Sequence, residues 1–102
     1  MYDFQHLPDL MLDVPPDSII SRTIFKSDKI TAVLFGFAAG TELSEHTAAK
    51  PAVLQFLEGE ADLTLGSDPQ SAKPGTWVHM PANLPHSVKA RTDVRMLLLL
   101  LE

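Results

Sequence analysis

Cysteine is missing altogether from these 102 residues. That excludes disulfides, thiolate nucleophiles and every zinc or iron–sulfur site built on cysteine. The composition fits a cytoplasmic protein. Basic charge is scarce as well, with 8 Lys and Arg against 13 Asp and Glu and a formal net charge of -5. Lys89, Arg91 and Arg95 form the only basic cluster, and it reads as a solvated face. With no basic stripe, a nucleic-acid surface is not expected. Long apolar runs are lacking too. The longest, 96–101, is far too short to span a bilayer. Asp3, Pro8, Asp9 and Asp13 break up the N-terminus, so no signal peptide is expected there. No helical stripe exceeds about two turns. No glycine-rich phosphate loop exists, and no serine sits in a nucleophile-elbow setting. Ser87 follows His86, but neighbouring strand residues face opposite sides.

What the chain does contain is apolar enough to fold, at 45% hydrophobic residues, and short enough for one domain. Residues 1–16 form an arm carrying Phe4, Leu7, Leu10, Met11, Leu12 and Val14. Pro8 is placed to start a short helical turn, and Pro15-Pro16 closes the segment. So apolar an arm is expected to lie over the domain 17–102, or over a partner subunit. Strand patterns then follow at 18–25, 29–38, 43–46, 52–57, 61–65, 76–80, 86–90 and 94–101. Residues 66–69 read as a turn and 71–73 as a short link. This spacing predicts an all-β sandwich or barrel. The run 96–101 lacks alternation, which predicts a strand covered on both faces. The arm or a second copy of the chain must supply the outer cover. A homodimer is the expected arrangement.

Two stretches carry the functional signal. In the first, Gly40 is followed by five residues and His46, and Leu57-Glu58-Gly59-Glu60 comes next. In the second, Gly75 is followed by five residues and Pro81, with Asn83 and then His86 behind it. Glycine, proline and histidine at these offsets resemble the two motifs of the cupin superfamily. Within it, the chain resembles small single-domain bacterial cupins of the RmlC-like, conserved-barrel type, whose functions are mostly unassigned. The resemblance implies a double-stranded β-helix, or jelly-roll barrel, with an N-terminal arm. It also implies a metal site of three histidines and one glutamate. Here His46 and His86 occupy two of those positions. Ala48 and Ala52 occupy the other two, Asn83 replaces a glycine and Ala90 an asparagine.

Two neutral imidazoles hold a divalent ion weakly, whether Fe, Mn, Ni, Cu or Zn. His79 is the third ligand to consider. Facing inward it joins His46 and His86, and otherwise it stands where cupins carry a cavity aromatic. Glu42 shares strand parity with His46, which allows an inward position, although a solvated strand end is the plainer reading. Trp77 shares parity with His79 and forms either a cavity wall or core. Phe56 belongs to the apolar interior and is expected to line the cavity. Gln55 lines the cavity if its strand carries a bulge and otherwise faces outward. His6 in the arm is expected to be exposed. Asn83 is suited to the left-handed backbone conformation that glycine would otherwise supply.

Two functions stay open. One is a small-molecule-binding cupin with a degenerate metal site, acting as an oxygenase or isomerase. The other is a metal-free ligand-binding or sensor barrel.

Overall fold

The computed structural model describes residues 1–11 and 13–102. Leu12, counted above with the arm, lies outside the described residues. Nine strands form among the described residues: β1 (Ile19–Lys26), β2 (Ile30–Phe37), β3 (Glu42–His46), β4 (Ala52–Glu58), β5 (Ala61–Leu65), β6 (Asp68–Ala72), β7 (Trp77–Met80), β8 (His86–Ala90) and β9 (Val94–Leu101). They build two antiparallel sheets, β1-β2-β9-β4-β7 and β3-β8-β5-β6. This is the all-β architecture that the turn spacing predicts, in the jelly-roll form that the resemblance implies.

Alternation decides the inner face. Phe37, Leu54, Phe56, Val94 and Met96 from the larger sheet meet Ala61, Leu63, Val88 and Ala90 from the smaller. Phe56 is only 1% exposed, so it is core and lines no opening. Phe35 and Phe37, two residues apart on one face, stack with ring centroids 6.0 Å apart.

β9 shows why its sequence fails to alternate. Met96, Leu98 and Leu100 turn into the core between the sheets. Leu97 and Leu99 turn outward into a second cluster with Ala32 and Leu34. The arm covers that cluster. Leu7 and Leu10, at the ends of a 3-10 turn with proline in its first two positions, pack there beside Met11. Each half-buried apolar side chain contributes about 1 kcal/mol. Gln5 Nε2 donates to the Ile24 carbonyl at 2.8 Å and ties the arm to β1. At Gly36 an added Cβ would lie 2.5 Å from Val14 Cγ2, so glycine allows the arm its close approach.

One strand departs from expectation. Asp68 and Pro69 belong to β6, not to the turn before it, and residues 71–72 continue that strand. The reversal is made by Gly66 and Ser67 alone. β6 is an edge, where proline is tolerated because its missing N–H faces no neighbour. The basic cluster is also dispersed. Arg91 pairs with Asp62 at 3.2 Å, and Arg95 with Glu58 at 3.5 Å. Among the described residues, no helix is long and apolar enough to cross a membrane.

Candidate functional site

β3 and β8 bring the two motif histidines together. His46 and His86 are cross-strand partners, although forty residues separate them in the chain. Their ring centroids lie 4.2 Å apart with the planes at 56°. His86 is buried at 7% exposure, and His46 stands exposed at the rim.

The orientation of each ring is fixed from behind. His46 Nδ1 contacts the Ser44 carbonyl at 2.8 Å, and His86 Nδ1 contacts the Leu84 carbonyl at 2.9 Å. A carbonyl oxygen only accepts, so each Nδ1 carries the proton. In the neutral rings both Nε2 atoms therefore hold a lone pair. Among the described residues, no buried side-chain nitrogen or oxygen lacks a partner. His86 Nε2 has no protein partner among them, so solvent reaches it. The pair is accessible from outside.

The loops hold this arrangement by main-chain bonds. Asn83 has φ +67, the left-handed conformation expected where glycine is replaced. Its N–H donates to the Ala48 carbonyl at 2.7 Å, linking the loop before His86 to the loop after His46. The Gly66 N–H donates to the Pro85 carbonyl at 2.7 Å, which anchors the other side of that loop.

A bulge in β3 changes the expected faces. Leu43 pairs with Val88 and His46 with His86, so three steps along β3 match two along β8. The extra residue lets Leu43 and His46 both face inward. Glu42 is therefore turned out, exposed and opposite Lys89, contrary to the inward position that simple parity allows. His79 is corrected as well. Its neighbours Val78 and Met80 pack in the core, so alternation sends His79 outward opposite Val53. It does not join His46 and His86. Trp77 lies on that outer side too, 61% exposed and opposite Gln55. β4 carries no bulge at Gln55, which is half-buried with its neighbours Leu54 and Phe56 turned inward. His6 is exposed in the arm.

The ligand-poor positions are equally clear. Ala52 is 2% exposed and pairs with Met80 on one side and Leu100 on the other. At this end of the barrel stands a polar group that sequence reasoning missed. Glu102 accepts from Thr31 Oγ1 at 3.1 Å and from the ammonium of Lys50. The hydrogen bond from Lys50 holds the Glu102 carboxyl below its ordinary range, aided by Thr31 and opposed by burial. These contacts join residues 71 and 52 positions apart, so no local pattern announces them.

The geometry now has a family to compare with. A family model described as a cupin domain matches residues 33–102. The chain belongs to the cupin family. This cupin is similar to a solved structure from Thermus thermophilus, with 21% identity, coverage of 98% and 97% of the two chains and a TM-score of 0.87. It is also similar to an RmlC-like cupin from Desulfovibrio desulfuricans, with 25% identity, coverage of 99% and 96% and a TM-score of 0.83. A DMSP lyase, DddQ from Ruegeria pomeroyi DSS-3, shares the fold at 22% identity and a TM-score of 0.77, over 82% of this chain and 47% of that one. A comparison with curated proteins gives no match.

Many cupins hold a metal, so the donor set of this one must be tested against that. Structural and catalytic ions take three or more protein donors. Among the described residues, no three His, Cys, Asp or Glu side chains come together. The carboxylate position is Ala52, packed among apolar neighbours. The residues present do not fit an ion held by this cupin alone.

Proposed function

We propose that this cupin binds a small organic molecule at the barrel mouth, with His46 and His86 accepting hydrogen bonds from it. One observation carries the reading. Two adjacent imidazoles have their Nδ1 protons committed to backbone carbonyls, which leaves two Nε2 acceptors side by side in reach of solvent. An apolar interior behind a few convergent polar groups is the usual form of a small-molecule site. The matching ligand head donates two hydrogens, as a diol or an amine does.

A second reading keeps a divalent metal. The same two lone pairs are the atoms with which histidine ligates, and a chelating ligand would have to supply the remaining donors. Oxygenase or isomerase activity belongs to this reading. The solved lyase shows that the fold admits enzymes, but its identity to this chain is low. Ala48 and Ala52 favour the metal-free reading.

The two separate in one experiment. Protein purified without a histidine tag is screened by thermal shift against small diols, phenols and amines, with and without Ni, Mn, Fe(II) or Zn. The proposal expects metal-independent stabilisation that His46→Ala and His86→Ala both abolish. Stabilisation that appears only with metal supports the second reading. Ligands that bind both variants as well as the parent overturn the site. Pairing of two copies belongs to the same reading, since Met1, Tyr2 and Phe4 at the arm's tip are exposed. Light scattering tests it against the single-chain mass of 11.2 kDa.

A further inference from the structure

The seam between the sheet edges β6 and β7 carries a second feature, separate from the histidine pair. The two strands are edges of different sheets and do not hydrogen-bond to each other. Between them lies a cleft of about 350 Å³. That is within the range of small-molecule sites, about 300–1,000 Å³. Its floor is apolar, made by Leu63, Leu65 and Val78, whose side chains belong to the core. Its wall is Trp77, the only tryptophan of the chain and the only exposed large apolar side chain outside the arm's tip among the described residues.

Around that wall stand the side chains of Gln70 and His79, while Ser71, opposite exposed Asp62, turns to the other face of β6. Neither Gln70 nor His79 has a side-chain hydrogen-bond partner among the described residues. The amide and the imidazole are therefore both available to a ligand. No carboxylate, lysine or arginine lines the cleft, so nothing there selects for charge.

We propose that this seam binds a neutral, polyhydroxylated ring, a glycosyl unit. The flat C–H face of such a ring lies against the Trp77 indole. Its hydroxyl edge meets Gln70 and His79, each able to donate or accept. A charged ligand would find no counter-charge here. A bare aromatic ring would leave both polar groups unpaired, which costs affinity. The site is distinct from the mouth of the barrel. His46 and His86 do not line it, although Leu65 in its floor is the cross-strand partner of His86.

A single tryptophan makes the test direct. Trp77 emission is titrated with methyl glucosides, galactosides and xylosides and with α- and β-1,4-linked disaccharides. The expected result is a saturable blue shift with at least one of them. Gln70→Ala weakens that response fivefold or more, with the melting temperature kept. His46→Ala leaves it unchanged, which separates the seam from the site proposed above. Saturation-transfer NMR on Trp77→Ala is the second measurement, and the sugar signal is lost there. The proposal is overturned if no sugar gives a saturable shift. It is also overturned if Gln70→Ala binds as well as the parent, or if phenol and indole saturate the response while sugars do not.

Discussion

His46 and His86 make the same backward contact, each Nδ1–H donating to the carbonyl two residues before it. This symmetry fixes which nitrogen each ring presents. Long-range proton–nitrogen NMR at ~pH 8, above the usual histidine range, then shows Nδ1–H and a bare Nε2 in both rings. An Nε2–H pattern in either ring would remove the paired acceptors from the site.

The two vacant ligand positions allow a gain-of-function test. Ala48→His with Ala52→Glu restores the missing imidazole and carboxylate. The double variant binds Mn, Ni or Zn at least about 100-fold more tightly than the parent, or about 2.7 kcal/mol. Isothermal titration reads the difference, and equal affinities would mean that the inherited positions do not converge in this chain.

Gly59 and Gly75 both have positive φ, but they differ in what surrounds them. A Cβ on Gly59 would fall 1.9 Å from the Asp93 carbonyl oxygen, whereas one on Gly75 meets nothing within 4 Å. Gly75→Ala therefore costs only the left-handed backbone term, about 1–2 kcal/mol. Gly59→Ala adds a main-chain clash and costs about 3 kcal/mol or more. Urea denaturation ranks the two, and equal costs would contradict the packing of the β4–β5 turn against the β8–β9 turn.

Gly36→Ala acts on the arm. Val14 is stiff at χ1, so it cannot swing aside freely when a methyl group arrives 2.5 Å away. The arm lifts while the barrel stays folded. Limited proteolysis then cuts within residues 1–16 faster than in the parent, at a global cost of about 1 kcal/mol. An unchanged cleavage rate would show that the arm accommodates the methyl.

The Glu102 carboxyl titrates below its ordinary value of 4.5, chiefly because Lys50 donates to it. Its contribution to stability is present above that value and fades as pH falls through the lower folded value. Lys50→Met is therefore less stable than the parent at neutral pH, and the gap closes as pH falls from 4.5 through the acid range below it. Thermal melting across that range reads the gap. A gap that persists in acid would assign the effect to packing.

The fold was largely legible in the sequence because its signals are local. Alternating apolar residues mark the strands, and Gly40, Gly59 and Gly75 all sit at the turns expected of them. The His46–His86 pairing was implied by the resemblance of the two motifs to the cupin pattern. What escaped was non-local or depended on a single inserted residue. The bulge between Leu43 and His46 reverses the face of Glu42, and nothing in Glu42-Leu43-Ser44-Glu45 announces it. His79 takes its outward face from Met80, whose place is set by Ala52 across the ladder. Pro69 argued for a turn, yet an edge strand admits it. Thr31, Lys50 and Glu102 meet only because three distant strand ends arrive at one rim.

The bond from Asn83 to the Ala48 carbonyl has a consequence for how this barrel ages and adapts. The loops beside the two imidazoles are joined to one another through peptide groups, a link that passes through no side chain. On the metal-free reading chelators then leave the melting curve where it was, and the half-buried side chain at position 48 can be exchanged for new chemistry without that link being broken.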